Sequence, residues 1–308
     1  MKGLELAESY YREYGKSMIA RSVPSHANRV AAGLVGPGSE CFGFDDEISR
    51  DHDWGPGFCI WVTEADFDRI GPALQEEYER LPQRFLGFGP RQASPGEEGR
   101  TGVGTITGFY RIYTGLEHVP RSLREWLFIP EQSLANCTNG TVFDDPLGEF
   151  SRWREALLQF YPEDVRLKKI ASRCITIAQS GQYNFERSLK RGEYVTVHYA
   201  EMKFCSDVMS LLFLINRRYT PFYKWMHRAV GELPVLGAEV HRLLAELVSE
   251  RDYGRKVDTI ESICGLLIEQ LRREGLTDAQ SDFLLDHGHS VHDRIEDDEL
   301  RARFHVVA

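Results

Sequence analysis

Residues 33–62 read GLVGPGSECFGFDDEISRDHDWGPGFCIWV. The stretch opens inside an apolar run, residues 30–35, which predicts a buried strand closing on Gly36-Pro37-Gly38. It ends on a second such run, residues 58–62. Between them stand Gly38-Ser39 and, after eleven intervening residues, Asp51-His52-Asp53. A glycine after a strand lets the backbone approach a phosphate with no Cβ in the way. Serine adds a hydroxyl donor, and free N–H groups at the start of a following helix would favour an anion. Two aspartates separated by one residue on an extended segment are expected to point to the same side, with His52 on the other. His52 therefore reads as structural. Asp51 and Asp53 together could hold a hard cation such as Mg2+. A third carboxylate from another strand would complete a two-metal site that activates a hydroxyl and stabilises departing pyrophosphate.

Asp-x-Asp beside glycine is also common in solvated turns, so the pair alone is a weak signal. A calcium hand would need a glutamate near the end of a twelve-residue loop, and position 62 is Val. No Gly-Lys-Ser/Thr follows Gly38, which excludes a Walker loop, and the three spaced glycines of a dinucleotide fingerprint are absent. Gly-x-Ser-x-Gly is absent too.

The combined pattern, strand–Gly–Ser–x11–Asp–x–Asp–strand, resembles the core of the polymerase-β-like nucleotidyltransferase superfamily. More closely, the chain resembles an uncharacterised bacterial family with this core and a helical C-terminal half. VFDDPLGEF (142–150), QSGQYNFERSLKRGEY (179–194) and NRRYTPFYKW (216–225) carry that closer likeness, which covers roughly residues 28–230. The resemblance implies that Gly38 and Ser39 contact a triphosphate and that Asp51 and Asp53 ligate Mg2+ (or Mn2+). It implies a third acid at Asp145, with Asp144 the alternative, as metal ligand and general base. Trp54-Gly55-Pro56-Gly57 departs from the superfamily, whose apolar strand follows the second aspartate directly. That interruption bears on the register of the strand and on the pose of the two aspartates; a bulge widening the site is one way to accommodate it.

Along the rest of the chain the pattern changes near residue 150. Before it, residues 64–81 place apolar side chains at 67, 70, 74 and 78 on one helical face. Residues 85–102 form a polar Gly/Pro-rich connection, expected as a loop over a site. Residues 103–113 alternate like a strand, and 140–143 read as a short one ending at Asp144-Asp145-Pro146. After residue 150 nearly everything reads as helix: 147–160, 163–181, 184–190, 195–216, 221–230, 235–251, 255–273 and 277–288. Apolar positions 195, 199, 202, 205, 208, 212 and 215 predict a core-facing stripe. The expected fold is therefore α+β: a polymerase-β-like core with a mixed sheet over 1–150, then an α-helical bundle domain over 151–308, with the nucleotide between them.

Two cations of the helical half are candidate phosphate ligands. Lys224 lies between aromatics, and by resemblance to small-molecule nucleotidyltransferases a lysine there would reach the triphosphate; the alternative is a lysine snorkelling from an aromatic surface. Arg187 shares a helix face with Arg191 and could clamp phosphate, or belong with Lys190 to a solvated basic face. Glu149 and Arg154 read as helix-surface or capping residues. His287, His289 and His292 are spaced like a metal cluster but stand in a charged tail without a second ligand pair upstream, which favours a structural role.

Composition sets the outer bounds. The 308 residues are 42% hydrophobic and 27% charged, as in a globular chain of one large domain or two ordinary ones. No apolar run approaches the roughly 20 residues of a membrane span, and the first twenty residues lack a secretory pattern. Six cysteines without a CxxC pair fit a reduced compartment, so a cytoplasmic location is expected. The net charge of -10 argues against a long nucleic-acid partner but not against a nucleotide. The partners expected are a nucleoside triphosphate and an unknown small-molecule or protein acceptor, and no membrane. The activity expected is nucleotidyl transfer; the alternative is a nucleotide-binding regulator or an antitoxin-like interaction protein without turnover. Base preference and oligomeric state are not legible.

Overall fold

The computed structural model describes residues 1–91 and 100–302. The chain divides into two compact units, Met1–Arg121 with Phe128–Gln159, and Ser122–Leu127 with Phe160–Ala308. The first carries helices α1 (Gly3–Tyr10) and α2 (Lys16–Ser22), joined by a π-helical turn at Tyr11–Gly15. No element before residue 30 was expected from the sequence. Then come β1 (Ala31–Leu34), β2 (Cys59–Val62), α3 (Glu64–Glu79), β3 (Gly102–Thr105) and α4 (Ile106–Thr114). After α5 (Leu123–Phe128), all but its last residue part of the second unit, the first unit resumes with α6 (Glu131–Thr138), β4 (Thr141–Asp144) and α7 (Glu149–Leu158).

The four strands form one mixed sheet in the order β3-β2-β1-β4. β1 is antiparallel to β2 (Gly33 opposite Cys59) and to β4 (Leu34 opposite Thr141), whereas β2 and β3 run parallel (Cys59 beside Gly102). The C-terminal end of β1 thus lies beside the starts of β2, β3 and β4. The ends of β2 and β4 lie at the opposite edge.

Both faces of the central strands β1 and β2 are covered, which is why those two read as continuous apolar runs rather than alternating ones. Phe58, Ile60 and Val62 join Tyr10, Met18, Ile19, Ile70 and Leu74 in one core against α1, α2 and α3. On the other face Trp61 stacks on Phe150 of α7 at 4.0 Å and meets Phe109 of α4 edge-on at 5.4 Å.

Residues 103–113, expected as one strand, divide after Thr105 into β3 and α4. Thr105 caps the helix, its hydroxyl accepting from the Gly108 N–H at 2.9 Å. From there the apolar spacing is helical, with Ile106 and Tyr110 buried one turn apart.

In the second unit the described residues are helical, with no strand. α8 (Glu163–Ile177) runs through a π segment, Ala178–Phe185, into α9 (Glu186–Lys190) and α10 (Tyr194–Ile215). α11 (Tyr223–Val230), α12 (Gly237–Ser249), α13 (Tyr253–Arg273), α14 (Leu284–His292) and α15 (Asp298–Ala302) follow. The stripe expected on α10 holds only in its second half: Cys205, Val208, Leu212 and Ile215 are buried, whereas Val195 is 86% and Tyr199 71% exposed. In the first turns the neighbouring face, Val197, Ala200 and Phe204, meets the core instead. Among the described residues no helix is long and apolar enough to cross a membrane.

Candidate functional site

The turn after β1 is fixed from two sides. The side-chain amide of Asn139 accepts from the Gly36 N–H at 2.9 Å and donates to the Gly36 carbonyl at 2.7 Å. Gly140 donates its N–H to the Cys41 carbonyl at 2.8 Å, and a Cβ on Gly140 would stand 2.0 Å from the Leu34 carbonyl oxygen. Arg154 in turn holds the chain before β4, donating to the carbonyls of Cys137, Asn139 and Gly140. Its role is that of a cap at the end of α6.

Gly38 leaves β1 with φ +141°, a backbone state that side chains strongly disfavour. Its bare α-carbon is also occupied space: a Cβ there would meet Arg100 Nη2 at 2.6 Å and Glu40 Oε2 at 2.7 Å. Ser39 is buried and starts the single 3-10 turn Glu40–Phe42. That turn gives the short helical start expected behind a Gly-Ser pair, one turn long.

Asp51 and Asp53 do not share a face. Asp51 lies in a right-handed helical conformation after the 3-10 turn Ile48–Arg50, with its side chain 63% exposed and 2.8 Å from His52 Nδ1. Asp53 has φ +52°, and its carboxylate is buried 3.3 Å from Arg100 Nη1. The expectation of a shared side assumed an extended segment. Trp54-Gly55-Pro56-Gly57 delays β2 until Cys59, so the aspartates sit in a turn instead.

The acids after β4 lie at the other edge of the sheet. Asp144 pairs opposite Ala32 in the β1 ladder, its carboxylate 3.2 Å from the Tyr11 hydroxyl and 3.8 Å from Lys16 Nζ. Asp145 accepts from the N–H groups of Gly148 (3.1 Å) and Ser151 (2.7 Å), which caps the first turn of α7. The sheet therefore does not bring Asp144 or Asp145 to Gly38–Ser39. Mg2+ wants several oxygens at about 2.0–2.1 Å. Among the described residues no group of three or more His, Cys, Asp or Glu side chains could hold a metal ion. As placed, the expected carboxylates do not fit that cation.

What does gather at the turn end is cationic. A cavity of about 460 Å3 opens beside Pro37, walled by Trp61, Phe109 and Tyr113 and carrying Arg91, Arg100 and Arg111. Arg91 is bonded to the buried Glu40. Burial alone would pull its pKa down, but the charge and hydrogen bond of Glu40 outweigh that and hold the guanidinium protonated. Burial pushes the Cys41 thiol well up and that of Cys59 to about 11, so both stay neutral near pH 7. It raises the Tyr113 phenol as well, leaving a neutral hydroxyl. The sequence reading missed Arg91 and Arg100. Their one signal was position, since both lie within the Gly/Pro-rich connection 85–102 expected over a site; residues 92–99 of it lie outside the described residues.

Arg187 and Lys224 belong to the helical unit, and both are exposed. Arg187 stacks on Tyr183 at 4.5 Å and donates to its hydroxyl at 2.6 Å; Lys190 pairs with Glu186 at 2.8 Å. Lys224 lies over the Trp225 ring at 4.8 Å. In the histidine segment, buried His287 is bonded to the Thr277 hydroxyl (2.9 Å) and the Ser281 carbonyl (2.8 Å), and His292 to the Arg301 carbonyl at 2.9 Å. Those contacts tie α14 into its unit.

A domain family of unknown function, DUF4037, matches residues 126–226, less than half of the chain. A comparison with curated proteins gives no match. Among solved structures, a nucleotidyltransferase-like protein from Exiguobacterium sibiricum 255-15 is similar at 10% identity, over 93% of this chain and 80% of that one. The TM-score is 0.38, too loose a likeness to weigh in the argument.

Proposed function

We propose that the first unit binds a nucleoside triphosphate at the turn end of the sheet, and that the chain is a nucleotidyltransferase. An acceptor hydroxyl, on a small molecule or a protein, would bond to the α-phosphorus as the bond to the bridging oxygen breaks. Pyrophosphate leaves and the hydroxyl proton passes to solvent. One observation carries this reading: Gly38, Arg100 and Asp53 converge where β1 ends. The sequence pattern alone pairs a phosphate-binding turn with an aspartate, and the fold adds a buried guanidinium between them. Gly38 offers backbone without a side chain, Ser39 a hydroxyl, and Arg100 a planar donor fork suited to phosphate oxygens. Arg187 and Lys224 are further cations proposed for the triphosphate. The Mg2+ (or Mn2+) expected for Asp51, Asp53 and Asp145 has no step assigned to it, because those carboxylates as placed do not fit the ion.

One observation favours the second reading, a nucleotide-binding regulator without turnover. Asp53 is engaged by Arg100, and the acids after β4 serve the far edge of the sheet. Incubating the pure protein with each labelled triphosphate, with and without Mg2+, separates the two. Pyrophosphate release that disappears in Asp51→Asn and Asp53→Asn supports transfer. Tight binding without release across a range of acceptors supports the regulator. Binding of no triphosphate under either condition would overturn both.

A further inference from the structure

We propose that the cavity between α4 and the sheet is the acceptor pocket, and that the acceptor is an anion carrying a flat ring. Its use as an acceptor rests on the nucleotidyltransfer reading; the chemistry it binds rests on the pocket alone. About 460 Å3 is the size of a small-molecule site. No aspartate, glutamate, lysine or histidine is among its described lining residues, so its charge comes from Arg91, Arg100 and Arg111. Each of the three has a carboxylate partner: Glu40 for Arg91, Asp53 for Arg100, and Glu117 for Arg111 at 2.9 Å. None of these acids lines the cavity. A guanidinium carries five N–H donors and one carboxylate takes at most two of them, so Arg91 and Arg111 keep donors for a ligand. The buried pairs fix Arg91 and Arg100 before a ligand arrives, which lowers the entropy cost of binding, whereas Arg111 and its partner are exposed.

The remaining wall is neutral. Cys41 and Cys59 are held as thiols, and Tyr113 presents an uncharged phenol. A cationic acceptor would therefore meet three guanidinium groups and, among the described lining residues, no acid. The ring requirement comes from Trp61, Phe109 and Tyr113. Phe109 stands edge-on to Trp61 at 5.4 Å and to Tyr113 at 5.3 Å, forming one aromatic side of the cavity. Flat rings pack on such a surface in offset or edge geometry. The anionic group can be a phosphate or a carboxylate, and competition distinguishes them.

The test uses the full chain without triphosphate. The probe is 8-anilinonaphthalene-1-sulfonate, a ring system with one anionic group, and its control is the uncharged N-phenyl-1-naphthylamine. Fluorescence titration is expected to show saturable binding of the anionic probe. Arg111→Met and Arg91→Lys, the latter keeping a charge opposite Glu40 but losing the fork, should weaken it by about tenfold or more, as loss of a charge-assisted hydrogen bond does. Both variants should leave the uncharged probe unaffected. Gly104→Leu fills the cavity, because a Cβ at Gly104 meets nothing within 4 Å, and should abolish binding of both probes. Displacement by a nucleoside monophosphate assigns the anion as phosphate; displacement by an aromatic carboxylate assigns it as carboxylate. Binding that ignores the arginine variants would show a merely apolar pocket and overturn the proposal. So would binding that survives Gly104→Leu, or no saturable binding at all. Pyrophosphate release in a protein that takes no ring anion would sink the pocket and leave nucleotidyl transfer standing. Ring-anion binding in a protein that takes no triphosphate would do the reverse.

Discussion

The two edges of the sheet hold the same kind of residue and use it differently. At the turn end Asp53 is buried against Arg100, whose guanidinium lies over the bare α-carbon of Gly38 and lines the cavity. At the far edge Asp144 is bonded to Tyr11, and Asp145 closes the first turn of α7. A carboxylate with its oxygens committed to backbone N–H groups of the same helix start is a cap. One that faces a guanidinium beside a cavity has a partner that a ligand could exchange. The difference shows that an aspartate at a strand end is no evidence of chemistry until the direction of the strand is known. β4 runs antiparallel to β1, so its C-terminal acids are carried away from the turn.

Gly140→Ala tests the scaffold behind the turn end and should be the most damaging change. Its φ is +60°, and the added Cβ would stand 2.0 Å from a backbone oxygen of β1. A cost of about 3 kcal/mol is expected, read as a shift in the urea midpoint. An unchanged midpoint would mean that β4 is not pinned to β1 there.

The two aspartates of the motif should separate sharply. Asp53→Asn removes a buried charge partner of Arg100 and should cost about 1–3 kcal/mol of stability. Asp51→Asn alters an exposed pair with His52 and should leave the melting temperature unchanged. Equal effects would contradict the unequal burial of the two.

Asp145→Ala brings the far edge into the comparison. Loss of the cap should destabilise by about 1 kcal/mol while triphosphate affinity is unchanged. A large loss of affinity without loss of stability would place Asp145 in the site after all.

The smallest effect concerns pH at the same far edge. The Arg29 hydrogen bond holds the Asp66 carboxyl below its usual range against the opposing effect of burial, with Thr63 adding to the pull. The folded pKa lies below the unfolded one, so this contribution is fully present above the unfolded value near 3.8. It is lost as pH falls through the folded pKa. Arg29→Met should flatten that acid limb in melts taken between pH 2 and 5, and an identical limb in the variant would remove Asp66 from the account.

Much of the scaffold was legible in the sequence. Residues 30–35 and 58–62 were marked as buried strands by uninterrupted apolar runs, and β1 and β2 are buried along their whole length. The helix from Glu64 was marked by the spacing of its apolar residues, and Gly38-Ser39 by a turn only glycine favours. These are local signals, carried by period and by backbone tolerance. The helix α4 was misread because valine, glycine and threonine before it suggest alternation, and the Thr105 cap that restarts the pattern is a single hydroxyl.

The site was legible only as a corner. Chain order places Asp144 and Asp145 after a strand just as it places Gly38 and Ser39 after one, and nothing local says that the two strands point in opposite directions. Nor does it say that Asp53 faces inward while Asp51 faces water, since that follows from the delayed start of β2. Arg91 and Arg100 stand fifty or more residues from Gly38; Arg100 reaches it through the pairing of β3 with β2, and Arg91 reaches Glu40 beside it. The sequence by itself determined the two central strands and the glycine turn after the first, because those depend on neighbours along the chain. The tertiary structure alone decided which acids and which cations share one end of the sheet, because strand direction and pairing are set by contacts between distant segments.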